Sequence, residues 1–117
     1  MESRYQERVD EETSRCIICP RMCTLKQGQR GFCGTKENQK GSIVSLTYGL
    51  LSAMAVDPIE KKPLAHFHPG SLSLSVSSVG CSFTCPWCQN WHLSTADPKS
   101  GGLKRVSSEY VVGEAKR

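Results

Sequence analysis

The chain has no long apolar run. Its hydrophobic stretches fall far short of the roughly 20 consecutive apolar residues that a membrane-crossing helix needs. The N-terminal segment, MESRYQERVDEETSR, is polar and charged and lacks the apolar core of a secretory signal. Aromatic residues are scarce, at 7%, and 15 Lys and Arg against 11 Asp and Glu leave a net charge of only +4. The basic residues Arg21, Lys26, Arg30, Lys36, Lys40, Lys61, Lys62, Lys104 and Arg105 are scattered, with no stripe interleaved with aromatics. That pattern argues against a nucleic-acid or membrane partner and reads as solvated surface. These absences together lead us to expect a cytoplasmic, reducing compartment. A length of 117 residues suits one small domain, or a small module with a piece of a larger one.

What the chain has in excess is cysteine. Seven are present, in two groups: Cys16, Cys19, Cys23 and Cys33, then Cys81, Cys85 and Cys88. An odd total cannot pair fully within one chain. In a reducing compartment, clustered cysteines more often bind metal or a cluster than form disulfides.

Residues 1–15 read as a polar lead-in able to form a short helix. Residues 16–41 are rich in cysteine and glycine, and Gly28, Gly31, Gly34 and Gly41 with Pro20 and Asn38 mark repeated turns. A core this small usually needs a metal staple. Residues 42–56 suggest two short strands around Gly49, followed by a loop punctuated by Pro58, Pro63, Pro69 and Gly70. Residues 71–79, SLSLSVSSV, carry the clearest period, with Leu72, Leu74 and Val76 alternating with serines. That is the pattern of a strand. A helix starting at Ser107 or Ser108, with the serine as N-cap, would place Tyr110, Val111 and Ala115 on one face.

The first cysteine group, C-x2-C-x3-C-x9-C, supplies four thiolates in eighteen residues on a turn-rich segment. Four soft ligands suit tetrahedral Zn2+, a second iron–sulfur cluster, or neither, the thiols then staying reduced. Either metal would chiefly hold the module folded.

The second group, C-x3-C-x2-C, lies just after the 71–79 strand, at the edge where sites collect in barrels and open α/β sheets. Three thiolates can hold three irons of a cubane cluster and leave one iron open, and an open position distinguishes catalytic metal sites from closed structural ones. The alternative from spacing alone is a zinc loop completed by His66, His68 or His92. His66 and His68 also fit loop packing or simple hydrogen bonding. Asp57, Glu60, Lys61 and Lys62 fit either a fixed loop or a solvated one.

The stretch CSFTCPWC resembles the cluster motif of the radical S-adenosylmethionine superfamily, with an aromatic, Trp87, at the expected place. Across residues 16–96, DPIEKKPL, HF before PGS, GC, CQNW and the N-terminal cysteine pattern resemble AmmeMemoRadiSam-system radical enzymes, relatives of the pyruvate formate-lyase activating enzymes. The resemblance implies that Cys81, Cys85 and Cys88 ligate a [4Fe-4S] cluster, with S-adenosylmethionine chelating the fourth iron and Trp87 near its adenine. One electron, from a reductant such as flavodoxin or ferredoxin, would then cleave the sulfonium. The resulting 5′-deoxyadenosyl radical would abstract hydrogen, in the activating enzymes from a protein substrate.

The fold so implied is an α/β fragment: a small cysteine-rich N-terminal module with short strands, then the first strand and helix start of a partial (β/α)6 barrel. The expected divisions are 1–15, 16–70 and 71–117. Such barrels need about 200 residues or more, and the family's later glycine-rich S-adenosylmethionine contact is absent. Gly101–Gly102 comes too early, with no acidic residue close behind it. Two expectations follow. One is a truncated radical enzyme, weakly active or inactive, whose Leu72, Leu74 and Val76 are half-exposed. The other is a non-catalytic zinc or iron–sulfur module that acts through a partner chain, which would complete the barrel.

Overall fold

The computed structural model describes residues 1–117. The chain divides into two compact units, each discontinuous in sequence: Met1–Tyr48 with Val79–Gly101, and Gly49–Ser78 with Gly102–Arg117.

In the first unit, β1 (Gln6–Arg8), β2 (Ser14–Cys16) and β3 (Thr24–Leu25) form an antiparallel sheet in that order. The polar lead-in is therefore strand and not helix. Its reversal is set by Asp10, whose Oδ1 accepts the N–H groups of Glu12 at 2.9 Å and Thr13 at 2.7 Å. Such an Asx turn gives the backbone an alternative to helix. β4 (Lys36–Gln39) and β5 (Ser42–Ser45) form a hairpin with Asn38 opposite Ile43. Its two-residue turn holds Lys40 at φ 55° and Gly41 at φ 77°, the left-handed pair that matches strand twist.

Cys16, Leu25 and Ile43 form the core here, with Cys23 packed against it. Asn38 is fully buried. Its Nδ2 donates to the carbonyls of Leu25 at 2.6 Å and Glu12 at 2.8 Å. One amide thus ties β3 and the Asp10 turn to the hairpin. Val79 is buried in the same unit, and the segment after it carries α1 (Trp91–Ser94).

In the second unit, β6 (Leu50–Leu51) pairs antiparallel with β9 (Lys104–Arg105), and β7 (Ala53–Pro58) with β8 (Leu72–Ser77). A 3-10 turn spans Ile59–Lys61 between β7 and β8. The Asp57 carboxylate accepts from Lys61 Nζ at 2.8 Å, Lys62 Nζ at 3.0 Å and Ser75 Oγ at 2.6 Å, which holds its pKa well below the usual carboxylate range. Glu60 accepts the Gly70 N–H at 2.7 Å. These acidic residues therefore fix the loop. α2 (Ser108–Ala115) begins as the serine signal indicates: Ser107 is the N-cap, and its Oγ accepts the Tyr110 N–H at 3.1 Å.

The expected start of a partial (β/α)6 barrel is overturned. The strand over 71–79 exists as β8, but all six of its residues pair antiparallel with β7. A βαβ unit needs parallel neighbours joined by a crossover, whereas every sheet here is small and antiparallel. The two α-helices have only 4 and 8 residues. The proline-punctuated loop lets β8 fold back on the strand before it. Leu72 and Val76 remain exposed, at 70% and 48%, and Leu74 is half-buried. No helix is long and apolar enough to cross a membrane.

Candidate cysteine-lined site

Cys81, Cys85 and Cys88 lie on a segment without regular structure that leads into α1. Gly80 starts it at φ 84°, and a Cβ there would lie 2.6 Å from the Cys33 carbonyl oxygen. Only glycine allows both that backbone and that approach. The Gly80 N–H donates to the Leu93 carbonyl at 2.9 Å, closing the segment on itself. Within it, the Phe83 N–H donates to Cys81 Sγ at 3.4 Å, the Cys88 N–H to the Cys85 carbonyl at 3.1 Å, and the Trp91 N–H to the Cys88 carbonyl at 3.2 Å. Cys88 Sγ lies 3.7 Å from Ser94 Oγ.

All seven cysteines are free thiols; Cys85 is exposed, and Cys81 and Cys88 are half-buried. Trp87 is 83% exposed, so its ring faces solvent.

The two cysteine groups meet. A cavity of about 220 Å³ is lined by Cys16, Cys19, Cys33 and Cys81, with Thr35 and Lys36 among its walls. A second, of about 340 Å³, is lined by Cys33 and Cys81 together with Arg30, Phe32, Phe83 and Asp97. Cys23, expected with the first group, packs instead on the core. His66 and His68 are exposed on the other unit's loop, where the His68 ring packs edge-on against Phe67 at 4.5 Å. His92 lies on α1, its ring 6.2 Å from that of Trp91.

No three Cys, His, Asp or Glu side chains converge closely enough to hold a metal ion. The donor set of the 81–88 segment fits an iron–sulfur cluster in kind, three soft thiols within eight residues. In arrangement the thiols are not yet gathered, so the segment would have to close around a cluster.

Several supporting residues carry no sequence signal of their role. Arg21 reads as one more solvated cation, yet its Nε donates to the Ser82 carbonyl at 2.8 Å and its guanidinium lies 3.4 Å over the Phe32 ring. It ties the cysteine segment to the Cys19–Cys23 turn. Arg30 pairs with Glu37 and Asp97, both at 3.1 Å, and Lys99 reaches Glu37 at 3.3 Å. These pairs fix the C-terminal end of the same segment to β4. Two of these pairs, Arg30–Asp97 and Lys99–Glu37, join residues 67 and 62 positions apart in sequence, beyond the reach of any local pattern.

No family model matches the chain, and no solved structure matches it. It is similar to the uncharacterized protein MJ0808 of Methanocaldococcus jannaschii, at 41% identity over 116 residues. The match covers 99% of this chain and 35% of that relative. The chain thus spans about a third of the length of the curated relative it matches.

Proposed function

We propose that the 81–88 segment is the cluster-binding element of a radical S-adenosylmethionine enzyme resembling the glycyl-radical activating enzymes, acting in the cytoplasm. The carrying observation is the donor set itself: Cys81, Cys85 and Cys88 are free, lie within eight residues, and belong to no strand or helix that would stop them converging. When bound, a [4Fe-4S] cluster with S-adenosylmethionine supplies one-electron reductive cleavage of the sulfonium.

The chain's own residues have distinct tasks in this reading. Cys81, Cys85 and Cys88 ligate. Gly80 gives the segment its close approach to Cys33, and Arg21 holds Ser82 beside the first ligand. Trp87, exposed next to Cys88, offers an aromatic surface to the adenine. A reductant such as flavodoxin or ferredoxin and a protein substrate belong to the proposal.

Anaerobic reconstitution with iron and sulfide tests it. About four irons and four sulfides per chain are expected, lost on Cys85→Ser, with reductant-dependent release of 5′-deoxyadenosine. Iron uptake without that release, restored by a second chain, would retain the cluster and assign catalysis to a complex. Uptake of zinc alone would overturn the proposal. It would favour a non-catalytic metal module acting through a partner chain.

A further inference from the structure

Cys33 and Cys81 are 48 positions apart in sequence, yet both line the same two cavities. The backbone preceding Cys81 is pressed against Cys33, since a Cβ on Gly80 would stand 2.6 Å from the Cys33 carbonyl oxygen. Both thiols are free and half-buried. Cys33 Sγ lies 3.1 Å from Thr35 Oγ1, and Cys81 Sγ accepts the Phe83 N–H at 3.4 Å. Each sulfur therefore has one light, local partner, and neither is locked into a ladder or core. Cys85 lines neither cavity.

We propose that Cys33 and Cys81 are a redox pair whose disulfide withdraws Cys81 from the three-thiol segment. The oxidant is a small disulfide of the glutathione class. One of the two cysteine thiolates attacks it, forming a mixed disulfide and releasing one glutathione thiolate. The second cysteine thiolate then attacks the mixed disulfide at the protein sulfur and releases the other. The two cysteines lose two electrons and two protons, and the small disulfide gains them. The pair stands on the geometry alone. Its consequence, a chain unable to take up a cluster while oxidised, rests on the function proposed above.

The test is disulfide mapping of the full chain, stripped of metal with a chelator, oxidised with oxidised glutathione and then blocked with an alkylating agent. The expected main product joins the tryptic peptide Gly31–Lys36 to the peptide ending at Lys99, which holds Cys81, Cys85 and Cys88; fragmentation of that product should place the link at Cys81 and leave Cys85 and Cys88 alkylated. The same oxidation in concentrated urea is the reference. In an unfolded chain, closing a 48-residue loop is less frequent than closing the 3-residue Cys85–Cys88 loop by on the order of tens of fold. The Cys33–Cys81 link should therefore dominate when folded and nearly vanish in urea. A folded chain that joins Cys81 mainly to Cys85 or Cys88, or leaves Cys33 alkylated, overturns the pair.

Iron uptake after oxidation separates this inference from the proposed function. Uptake should fall severalfold in the unsubstituted chain and persist in Cys33→Ser treated alike. A mapped pair with undiminished uptake leaves the pair standing and overturns the assignment of Cys81 to the cluster.

Discussion

Cys16 is closed off by Leu25 and Ile43, with Cys23 packed against the same cluster, whereas Cys85 is exposed on a segment with no regular structure before Trp91. Both groups present several thiols at short spacing, but the first is built partly into a core, whereas the second has local turns of its own and no buried side chain among its cysteines. Gly80, Arg21 and the Arg30–Asp97 pair fix where the second segment begins and ends, not how its thiols are arranged. The contrast predicts opposite costs. Cys85→Ser should abolish iron uptake and leave urea stability within about 0.5 kcal/mol, because an exposed side chain away from special features changes little. Cys16→Ser should lower stability by about 2 kcal/mol, since a hydroxyl replaces a thiol in an apolar core. Iron analysis beside urea unfolding curves checks both. Equal destabilisation by the two substitutions would break the comparison.

The comparison also explains what could be read from sequence. The β8 strand, the Ser107 cap and the turn-rich 16–41 stretch carry local signals: period-2 alternation, a serine before an apolar face, and repeated glycines. The pairing of β8 is not local. A period of 2 specifies a strand but says nothing of whether its neighbour is parallel, so the barrel expectation rested on the family resemblance and failed on the register with β7. The strands of the lead-in carry no period of their own; they depend on the turn that the Asp10 carboxylate folds. In the site, the spacing of the cysteines is a local signal that sequence shows directly. The meeting of Cys33 with Cys81 depends on contacts between segments far apart in sequence, so no spacing contains it.

A second way to sharpen the contrast is to loosen the first region without touching a thiol. Asn38 is buried between β3, the Asp10 turn and β5, and its Nδ2 donates to two carbonyls. Asn38→Ala would leave both carbonyls without that donor, and removing one partner of a buried hydrogen bond costs about 1–3 kcal/mol. We expect a loss of about 2 kcal/mol in urea unfolding. The amides of Cys16 and Leu25 should lose hydrogen-exchange protection, while those of residues 82–88 should change little. Loss of protection spread evenly over both regions would mean that the cysteine segment depends on the core beneath it.

The smallest effect concerns the electrostatic tie between the regions. The Asp97 carboxylate is held below its ordinary pKa by the Lys99 backbone N–H and by Arg30, and Glu37 is lowered by the Gln39 side chain, Arg30 and Lys99. Both folded-state pKa values lie below those of the unfolded chain. The stability they contribute is therefore fully present above the unfolded values, at about pH 4, and is lost as pH falls through the folded ones. Exposure limits the size: the Asp97 side chain is 54% exposed, and surface pairs are screened. Hydrogen exchange followed from pH 5 downward should show Lys99 and its neighbours opening before the β2–β3 ladder. Asp97→Asn, which cannot ionise, should show that opening already at pH 5 and a flatter response to acid. If acid opens β2–β3 first, the ion pairs are not what holds the segment's end, and Gly80 and Arg21 alone must set its position.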